Sequence, residues 1–114
     1  MMQIRHGHLY VADLNPRDGT EPGKLRPVVV IQTDFLNEAL HPSTWILPCT
    51  TRMVGENILR VVLPKKIAGN SEDCEVMVDQ SRSIDNVRFR REVGKIPSVI
   101  LKEIKGKLRL LANL

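Results

Sequence analysis

The chain is poor in aromatic side chains and has no long apolar run. Only 4% of its 114 residues are aromatic, namely Tyr10, Phe35, Trp45 and Phe89. So few aromatic side chains argue against a large base-stacking platform. Any binding of a nucleic acid has to come mainly from arginine, lysine and backbone amides. No apolar stretch approaches the ~18 residues of a membrane span, and the first ten residues contain no hydrophobic signal core. We therefore expect a cytoplasmic protein.

Motifs for disulfides, metals and cofactors are also lacking. Cys49 and Cys74 are the two cysteines, without CxxC spacing, so we expect two reduced, structural thiols. His6 and His8 alternate onto one face of a strand, but no third ligand pattern accompanies them, and we expect no metal. The glycines at the ends of segment 19–23 are not followed by the Lys-Ser/Thr of a phosphate-binding loop. We expect no cofactor.

Chain length limits the number of domains, and net charge limits the class of partner only loosely. With 114 residues, of which 42% are hydrophobic, we expect one globular domain over 1–114. The formal net charge is +4. That charge fits a nucleic-acid partner and fits an ordinary solvated surface equally well.

Short β-rich runs separated by turn formers dominate the chain. The predicted strands are 9–12, 27–32, 44–48, 57–63, 74–78 and 87–93. The continuous apolar run at 27–32 predicts a strand buried on both faces. Thr33 and Asp34 predict the cap of a short helix over 35–40, which Pro42 ends.

The end of the chain has helical periodicity. Apolar residues recur at spacings of 4, 4 and 3, and Ser98 is the predicted N-cap; the stripe consists of Ile100, Ile104, Leu108 and Leu111. The opposite face is cationic, with Lys102, Lys105, Lys107 and Arg109. This face fits either nucleic-acid binding or the solvated side of a core-packing helix. Together the elements predict a mainly β (α+β) fold, a small antiparallel barrel with one helix at its end.

Arg26 stands between the Gly-rich polar segment 19–25 and the buried strand. Because Pro27 follows it, Arg26 is restricted to an extended conformation. Its guanidinium offers a planar fork of donors that suits phosphate oxygens. An ordinary surface arginine at a strand start fits the same pattern.

A second polar cluster lies about 20 residues on, where the strand at 44–48 ends. Thr50 and Thr51 follow Pro48, and a hydroxyl can hydrogen-bond a phosphate oxygen without adding charge. Ordinary β-propensity of threonine is the competing explanation. Arg52 fits either a phosphate anchor or a solvated loop arginine. One cation and one hydroxyl pair, each at a strand end, are predicted to converge on a phosphate.

Two further polar positions complete the candidate set. Glu21, five residues before Arg26, fits a group that orients Arg26 or touches a base edge, and it equally fits an exposed loop carboxylate. Gln80, in the polar block 79–83, carries amide donors and an acceptor that suit reading a base edge, and it also fits a turn.

These residues lie in segments that together resemble the MazF/PemK toxins, the ribonuclease half of toxin–antitoxin pairs. The matching segments occur in family order and, with the terminal helix, cover nearly the whole chain: GHLYVADLNP (7–16), GTEPGKLRPVVV (19–30), LPCTT (47–51) and VDQSRSID (78–85). The resemblance implies a homodimer of SH3-like barrels of the MazF/CcdB type. It also implies metal-independent cleavage of single-stranded RNA at short sequences, in which the 2′-hydroxyl attacks the adjacent phosphate and leaves 2′,3′-cyclic phosphate and 5′-hydroxyl ends.

The resemblance assigns roles to single residues. Its catalytic arginine falls on Arg26 and its catalytic threonine on Thr50. The candidate RNA-binding residues are Thr20, Glu21, Lys24, Thr51, Arg52, Asp79 and Gln80. The implied partner is a MazE-like antitoxin, acidic and partly disordered, with DNA contacted only through the toxin–antitoxin complex.

One departure concerns proton transfer. Some members carry a histidine before the loop glutamate and an arginine two residues before the Asp-Gln pair; here these positions are Thr20 and Met77. Arginine is a poor base because its pKa exceeds ~12, so Arg26 is expected to stabilise charge, and Glu21 is our hypothesis for the base.

Two other functions remain open. A gyrase-binding toxin of the CcdB type would carry a Trp-Gly-Ile tail, whereas this chain ends Ala112-Asn113-Leu114. A degenerate toxin that only pairs with its antitoxin is the other alternative, although nothing in the sequence disables Arg26 or Thr50.

Overall fold

The computed structural model describes residues 2–15, 19, 24–55 and 57–114. Within them it contains seven strands, two α-helices and two single-turn 3₁₀ helices. The strands are β1 His8–Asp13, β2 Leu25–Val30, β3 Ser43–Thr50, β4 Arg60–Leu63, β5 Cys74–Met77, β6 Arg82–Asp85 and β7 Phe89–Lys95. The helices are α1 Asp34–Glu38 and α2 Ser98–Ala112, and the 3₁₀ turns are Val78–Gln80 and Asn86–Arg88.

All the strands pair in antiparallel fashion. The order across the sheet is β4-β5-β3-β2-β1-β7, and β6 pairs with β3 beyond the end of β5. The predicted class, mainly β with a short inserted helix and a C-terminal helix, is confirmed. Among the described residues the edge strands β4 and β7 do not pair, so hydrogen bonding does not close the barrel.

The core has one cluster on each face of the sheet, and β2 contributes to both. Val29 packs into the cluster beneath α2, while Val28 and Val30 pack into the cluster that contains Tyr10 and Phe89. Their two rings meet edge to face, with centroids 5.4 Å apart. The prediction that the apolar run of β2 is buried on both faces is therefore confirmed.

Several element boundaries differ from those predicted. β2 begins at Leu25 and β3 continues through Thr50, so both candidate catalytic residues lie inside paired strands. β4 begins only at Arg60, three residues after the predicted start. The polar block 79–83 contains the start of β6, which the sequence did not predict because its pairing partner is β3, about 40 residues earlier.

The helices agree with the predictions except at their ends. Thr33 caps α1 by accepting a hydrogen bond from the amide of Phe35, at 3.3 Å. Ser98 is not the N-cap of α2: Pro97 occupies that position in an extended conformation, and Ser98 is the first helical residue. Ile104 is fully buried, whereas Leu111, the last residue of the predicted stripe, is 46% exposed. No helix among the described residues is long and apolar enough to span a membrane.

Candidate functional site

Arg26 and Thr50 lie at the same end of the sheet, on neighbouring strands. The β2–β3 register ends at the pair Val28–Pro48, and the same register continued by two residues sets Arg26 opposite Thr50. The Arg26 Nη1 atom donates to the carbonyl oxygen of Cys49, at 3.4 Å. The guanidinium therefore lies beside the peptide unit that joins Cys49 to Thr50. Arg26 and Thr50 are both half-buried, so their side chains are constrained by packing yet reachable from solvent.

The hydroxyl of Thr50 is oriented by the chain that follows it. Its Oγ1 atom accepts a hydrogen bond from the amide of Arg52, at 3.1 Å. A hydroxyl that accepts one bond retains its own hydrogen as a donor. Thr50 is thus prepared to donate to an oxygen placed next to Arg26. The side chains of Thr51 and Arg52 are exposed at the same strand end.

A buried carboxylate, Glu75, lies directly across from Thr50 in the β3–β5 ladder. Glu75 is 0% exposed. It accepts hydrogen bonds from the amides of Val54 and Gly55 and from the Arg60 guanidinium, each at 3.1 Å. Glu75 was not among the predicted site residues, although a charge within the buried strand Cys74–Met77 was a usable signal, because buried charges need partners.

A group of basic residues surrounds this end of the sheet. Ala12 pairs with both Arg26 and Phe89, which brings the start of β7 to the start of β2. Arg90 forms an ion pair with Asp13 at 3.4 Å. Arg88 lies beside them, donating to the carbonyl oxygens of Asp13 and Asn15. Neither arginine was predicted to belong to the site; their spacing of two residues near a strand start was the available signal.

Lys24 is exposed immediately before β2, where its amide donates to the Asn15 side chain at 2.6 Å. Its φ of 55° is in the left-handed region. This places the candidate RNA-binding residue Lys24 two residues from Arg26. The predicted residues Thr20 and Glu21 lie outside the described residues, so their roles stay predictions.

Asp79 and Gln80 lie farther along β3. β5 pairs with β3 at Cys49 and β6 pairs with it at Ile46, so the intervening turn runs beside Leu47 and Pro48. At about 3.3 Å per residue, these two residues lie roughly 7–10 Å from Thr50 along the strand. The turn that carries Asp79 and Gln80 therefore lies beside a part of β3 that is two to three residues from Thr50. Asp79 is exposed and Gln80 half-buried.

The two cysteines are buried neighbours that do not form a disulfide bond. A hydrogen bond to Cys74 and burial both raise the pKa of the Cys49 thiol, while the same hydrogen bond lowers the pKa of Cys74. Among the described residues, no three His, Cys, Asp or Glu side chains are grouped as a metal site.

The cationic face of α2 packs partly against the sheet. Lys107 donates to the carbonyl oxygens of Asn57 and Arg60, at 3.1 and 2.6 Å, and forms an ion pair with Glu103 at 3.6 Å. For Lys107, these contacts favour packing of the helix against the sheet over binding of a nucleic acid. Lys102, Lys105 and Arg109 are exposed.

Comparisons with known proteins agree with this architecture. Residues 5–112 match the family described as PemK-like, MazF-like toxin of type II toxin–antitoxin system. Endoribonuclease MazF9 of Mycobacterium tuberculosis is 27% identical over 115 residues, spanning 97% of this chain and 98% of the relative. A crystal structure of MazF from Deinococcus radiodurans matches with a TM-score of 0.86 at 29% identity, covering 100% of both chains. A MazE–MazF complex from the same organism matches with a TM-score of 0.81 at 28% identity, covering 100% of this chain and 99% of the other. The chain therefore belongs to the PemK-like, MazF-like toxin family of type II toxin–antitoxin systems.

Proposed function

We propose that this chain is a toxin endoribonuclease that cleaves single-stranded RNA, including mRNA, at specific short sequences in the cytoplasm. The observation that carries the proposal is the contact between Arg26 and the Cys49 carbonyl, which holds a guanidinium beside the peptide unit that joins Cys49 to Thr50. The name of the relative from M. tuberculosis supports the same activity.

In the proposed reaction the ribose 2′-hydroxyl attacks the adjacent phosphorus. The 2′-oxygen–phosphorus bond forms, the bond from phosphorus to the 5′-oxygen breaks, and the products carry a 2′,3′-cyclic phosphate and a 5′-hydroxyl. The transition state is a phosphorane-like dianion, which donors held in place stabilise most effectively. Arg26 supplies a charged fork of donors and Thr50 supplies its hydroxyl hydrogen. Their combined effect requires no metal ion in this proposal.

Proton transfer needs a separate group. The attacking 2′-hydroxyl loses a proton, and the leaving 5′-oxygen gains one. Arg26 is unsuited to accept that proton because a guanidinium keeps its proton up to a pH above ~12. We propose Glu21 as the base, since it lies in the segment that precedes Arg26.

RNA is proposed to run from the basic residues around Arg26 along β3. Lys24 and Arg52, with the neighbouring Thr20 and Thr51, would bind the phosphates that flank the cleaved one. Asp79 and Gln80, whose turn lies beside a part of β3 roughly 7–10 Å from Thr50, would contact a base removed from the cleavage point. In this arrangement cleavage and base recognition use different parts of one strand.

We further propose that the toxin acts as a homodimer and that an acidic, partly disordered MazE-like antitoxin neutralises it. Solved MazE–MazF complexes among the structural relatives support an antitoxin partner. The toxin would contact DNA only within that complex. A CcdB-like gyrase binder is not favoured, since the family match is to PemK and MazF.

The activity is tested by incubating the purified protein with a long single-stranded transcript in the presence of EDTA. We expect discrete fragments whose 5′ ends accept a phosphate from polynucleotide kinase without prior dephosphorylation, and whose 3′ ends carry cyclic phosphate. Arg26→Ala serves as the inactive control. Intact RNA with every sequence tried would refute the proposal, and inhibition of gyrase in a supercoiling assay would favour the alternative.

A further inference from the structure

Glu75 is the one fully buried carboxylate among the described residues, and its contacts all lie near Thr50. It is 0% exposed and pairs with Thr50 across the β3–β5 ladder. One carboxylate oxygen accepts from the Val54 amide and the Arg60 guanidinium, and the other accepts from the Gly55 amide. A charge removed from water in this way is retained only where it is paired and hydrogen-bonded.

These bonds determine the course of the chain after Thr50. Val54 and Gly55 come four and five residues after it, so anchoring their amides turns segment 51–55 back toward β5. Gly55 has a φ of +88°, a left-handed value that favours glycine and completes this turn. The turn presents the amide of Arg52 to the Thr50 hydroxyl, at 3.1 Å.

We propose that Glu75 is a positioning residue for RNA cleavage: by holding segment 51–55 it presents the Arg52 amide to the Thr50 hydroxyl and so orients that hydroxyl toward the phosphate. The inference rests on the proposed function. Glu75 is buried behind the strand end and acts through the Arg52 amide and Thr50 without touching RNA. Small displacements of a reacting group lower rates steeply, up to about 10²-fold for 1 Å.

The direct test compares Glu75→Gln with Glu72→Gln, which changes an exposed carboxylate in the segment just before β5. Glutamine keeps the volume of Glu75 but has only one acceptor oxygen and no charge. We expect kcat on a short single-stranded RNA to fall about tenfold or more, with KM changed by less than about twofold, since Thr50 acts mainly in the transition state. Glu72→Gln should match the wild type.

A second readout does not depend on activity. Hydrogen exchange of the Val54 and Gly55 amides should be faster in Glu75→Gln than in the wild type, while amides of β1 exchange at unchanged rates. Gly55→Ala disturbs the same turn from its exposed side, where an added Cβ meets nothing within 4 Å. It should also lower kcat more than it changes KM, and it decides the matter if Glu75→Gln does not fold.

The outcomes separate this inference from the proposed function. Wild-type protein that leaves RNA intact refutes the proposed function, whatever the variants do. A wild type that cleaves, with Glu75→Gln and Gly55→Ala folded and equally active, refutes the role of Glu75 alone. A loss of activity that only follows the folded fraction, with unchanged amide exchange at Val54 and Gly55, also refutes it.

Discussion

Two hydrogen bonds to the backbone direct the two side chains on which the proposed chemistry depends. Arg26 donates to the Cys49 carbonyl, and the hydroxyl of Thr50 accepts from the Arg52 amide. The first bond keeps the guanidinium next to Thr50, and the second leaves the hydroxyl hydrogen to serve as a donor. At the scale of single residues, the proposed site is therefore a pair of donors that the protein itself holds in place.

Replacing Arg26 by lysine tests whether the fork matters or only the charge. Lysine keeps the charge but binds phosphate as a point charge, without the planar pair of donors. We expect Arg26→Lys to lower the cleavage rate by about 10²-fold, in the range for loss of one preorganised donor. Arg91→Lys, at an exposed position of β7, is the control. Equal rates for Arg26→Lys and wild type would show that charge alone suffices.

Tyr10 is expected to make the folded state less stable at alkaline pH. Burial raises the pKa of Tyr10 to about 12, from a usual value near 10.0. Between pH 10 and 12 the unfolded phenol loses its proton while the folded one keeps it, so stability falls as the pH rises through this window. At about 1.4 kcal/mol per pH unit, the total loss is on the order of 2–3 kcal/mol.

Urea unfolding at a series of pH values measures this effect. Tyr10→Phe lacks the titrating phenol, so its unfolding free energy should fall less steeply above pH 10 than that of the wild type. The baseline at pH 8 corrects for the hydrogen bonds that Tyr10 makes to the backbone of Arg5 and Gln3. Parallel curves for the two proteins would contradict the assignment.

At the scale of elements, β5 and β6 lie end to end along the same edge of β3, and the turn between them carries Asp79 and Gln80. This arrangement separates the proposed cleavage end of β3 from the proposed base-reading turn. In another part of the sheet, β7 packs closely against the segment before β5. There Gly94 lies against the backbone of Ala68 and Gly69.

Two glycine-to-alanine substitutions, one at this contact and one in α2, are expected to change the free energy of unfolding in opposite directions. At Gly94 an added Cβ would overlap the carbonyl oxygen of Ala68, so Gly94→Ala should be destabilising, by at least about 1–3 kcal/mol for overpacking. In the middle of α2, a Cβ on Gly106 meets nothing within 4 Å. Gly106→Ala should therefore stabilise by about 0.5–1 kcal/mol through helix propensity.

Free energies of unfolding in urea measure both changes. Tolerance of Gly94→Ala without loss of stability would show that β7 and Ala68 are farther apart than the structure has them. A destabilised Gly106→Ala would show that the exposed side of α2 is covered in solution.

Local sequence patterns predicted most of the elements but not the contacts between them. The apolar run of β2 and the helical stripe of α2 were visible because their periodicity follows from burial on particular faces. β6 was missed because its signal is a pairing with β3 across about 40 residues. Residue type and resemblance made Arg26 and Thr50 candidates for the site, whereas the contacts of Glu75 depend on the β3–β5 register, which no local pattern specifies.

At the scale of the whole molecule, the net charge is +4, and several of the basic residues lie at one end of the sheet. Basic residues from the starts of β2 and β7 and from the segment after β3 lie there, namely Lys24, Arg26, Arg52, Arg88 and Arg90. Binding of single-stranded RNA at this end should release counterions and weaken with salt.

The salt dependence of RNA binding tests this distribution of charge. For single strands, log K falls with log salt by about 0.7 per phosphate neutralised, so Lys24→Ala should reduce the slope by about 0.7. Lys102→Ala, on the exposed face of α2, should leave it unchanged. Binding is measured in the Thr50→Val background to prevent cleavage. A change of slope with Lys102→Ala but not with Lys24→Ala would show that RNA binds the exposed face of α2 instead.

The most direct test of the central claim, that Arg26 and Thr50 together stabilise the phosphate during cleavage, is the single-turnover cleavage rate of Thr50 variants at saturating protein. Thr50→Ser keeps the hydroxyl and should retain cleavage within about tenfold of wild type, whereas Thr50→Val keeps the shape without the donor and should lose about 10²–10³-fold. Combining Thr50→Val with Arg26→Ala should cost less than the sum of the two free-energy losses, because the two donors act on the same phosphate. Cleavage by Thr50→Val at the wild-type rate would contradict the account.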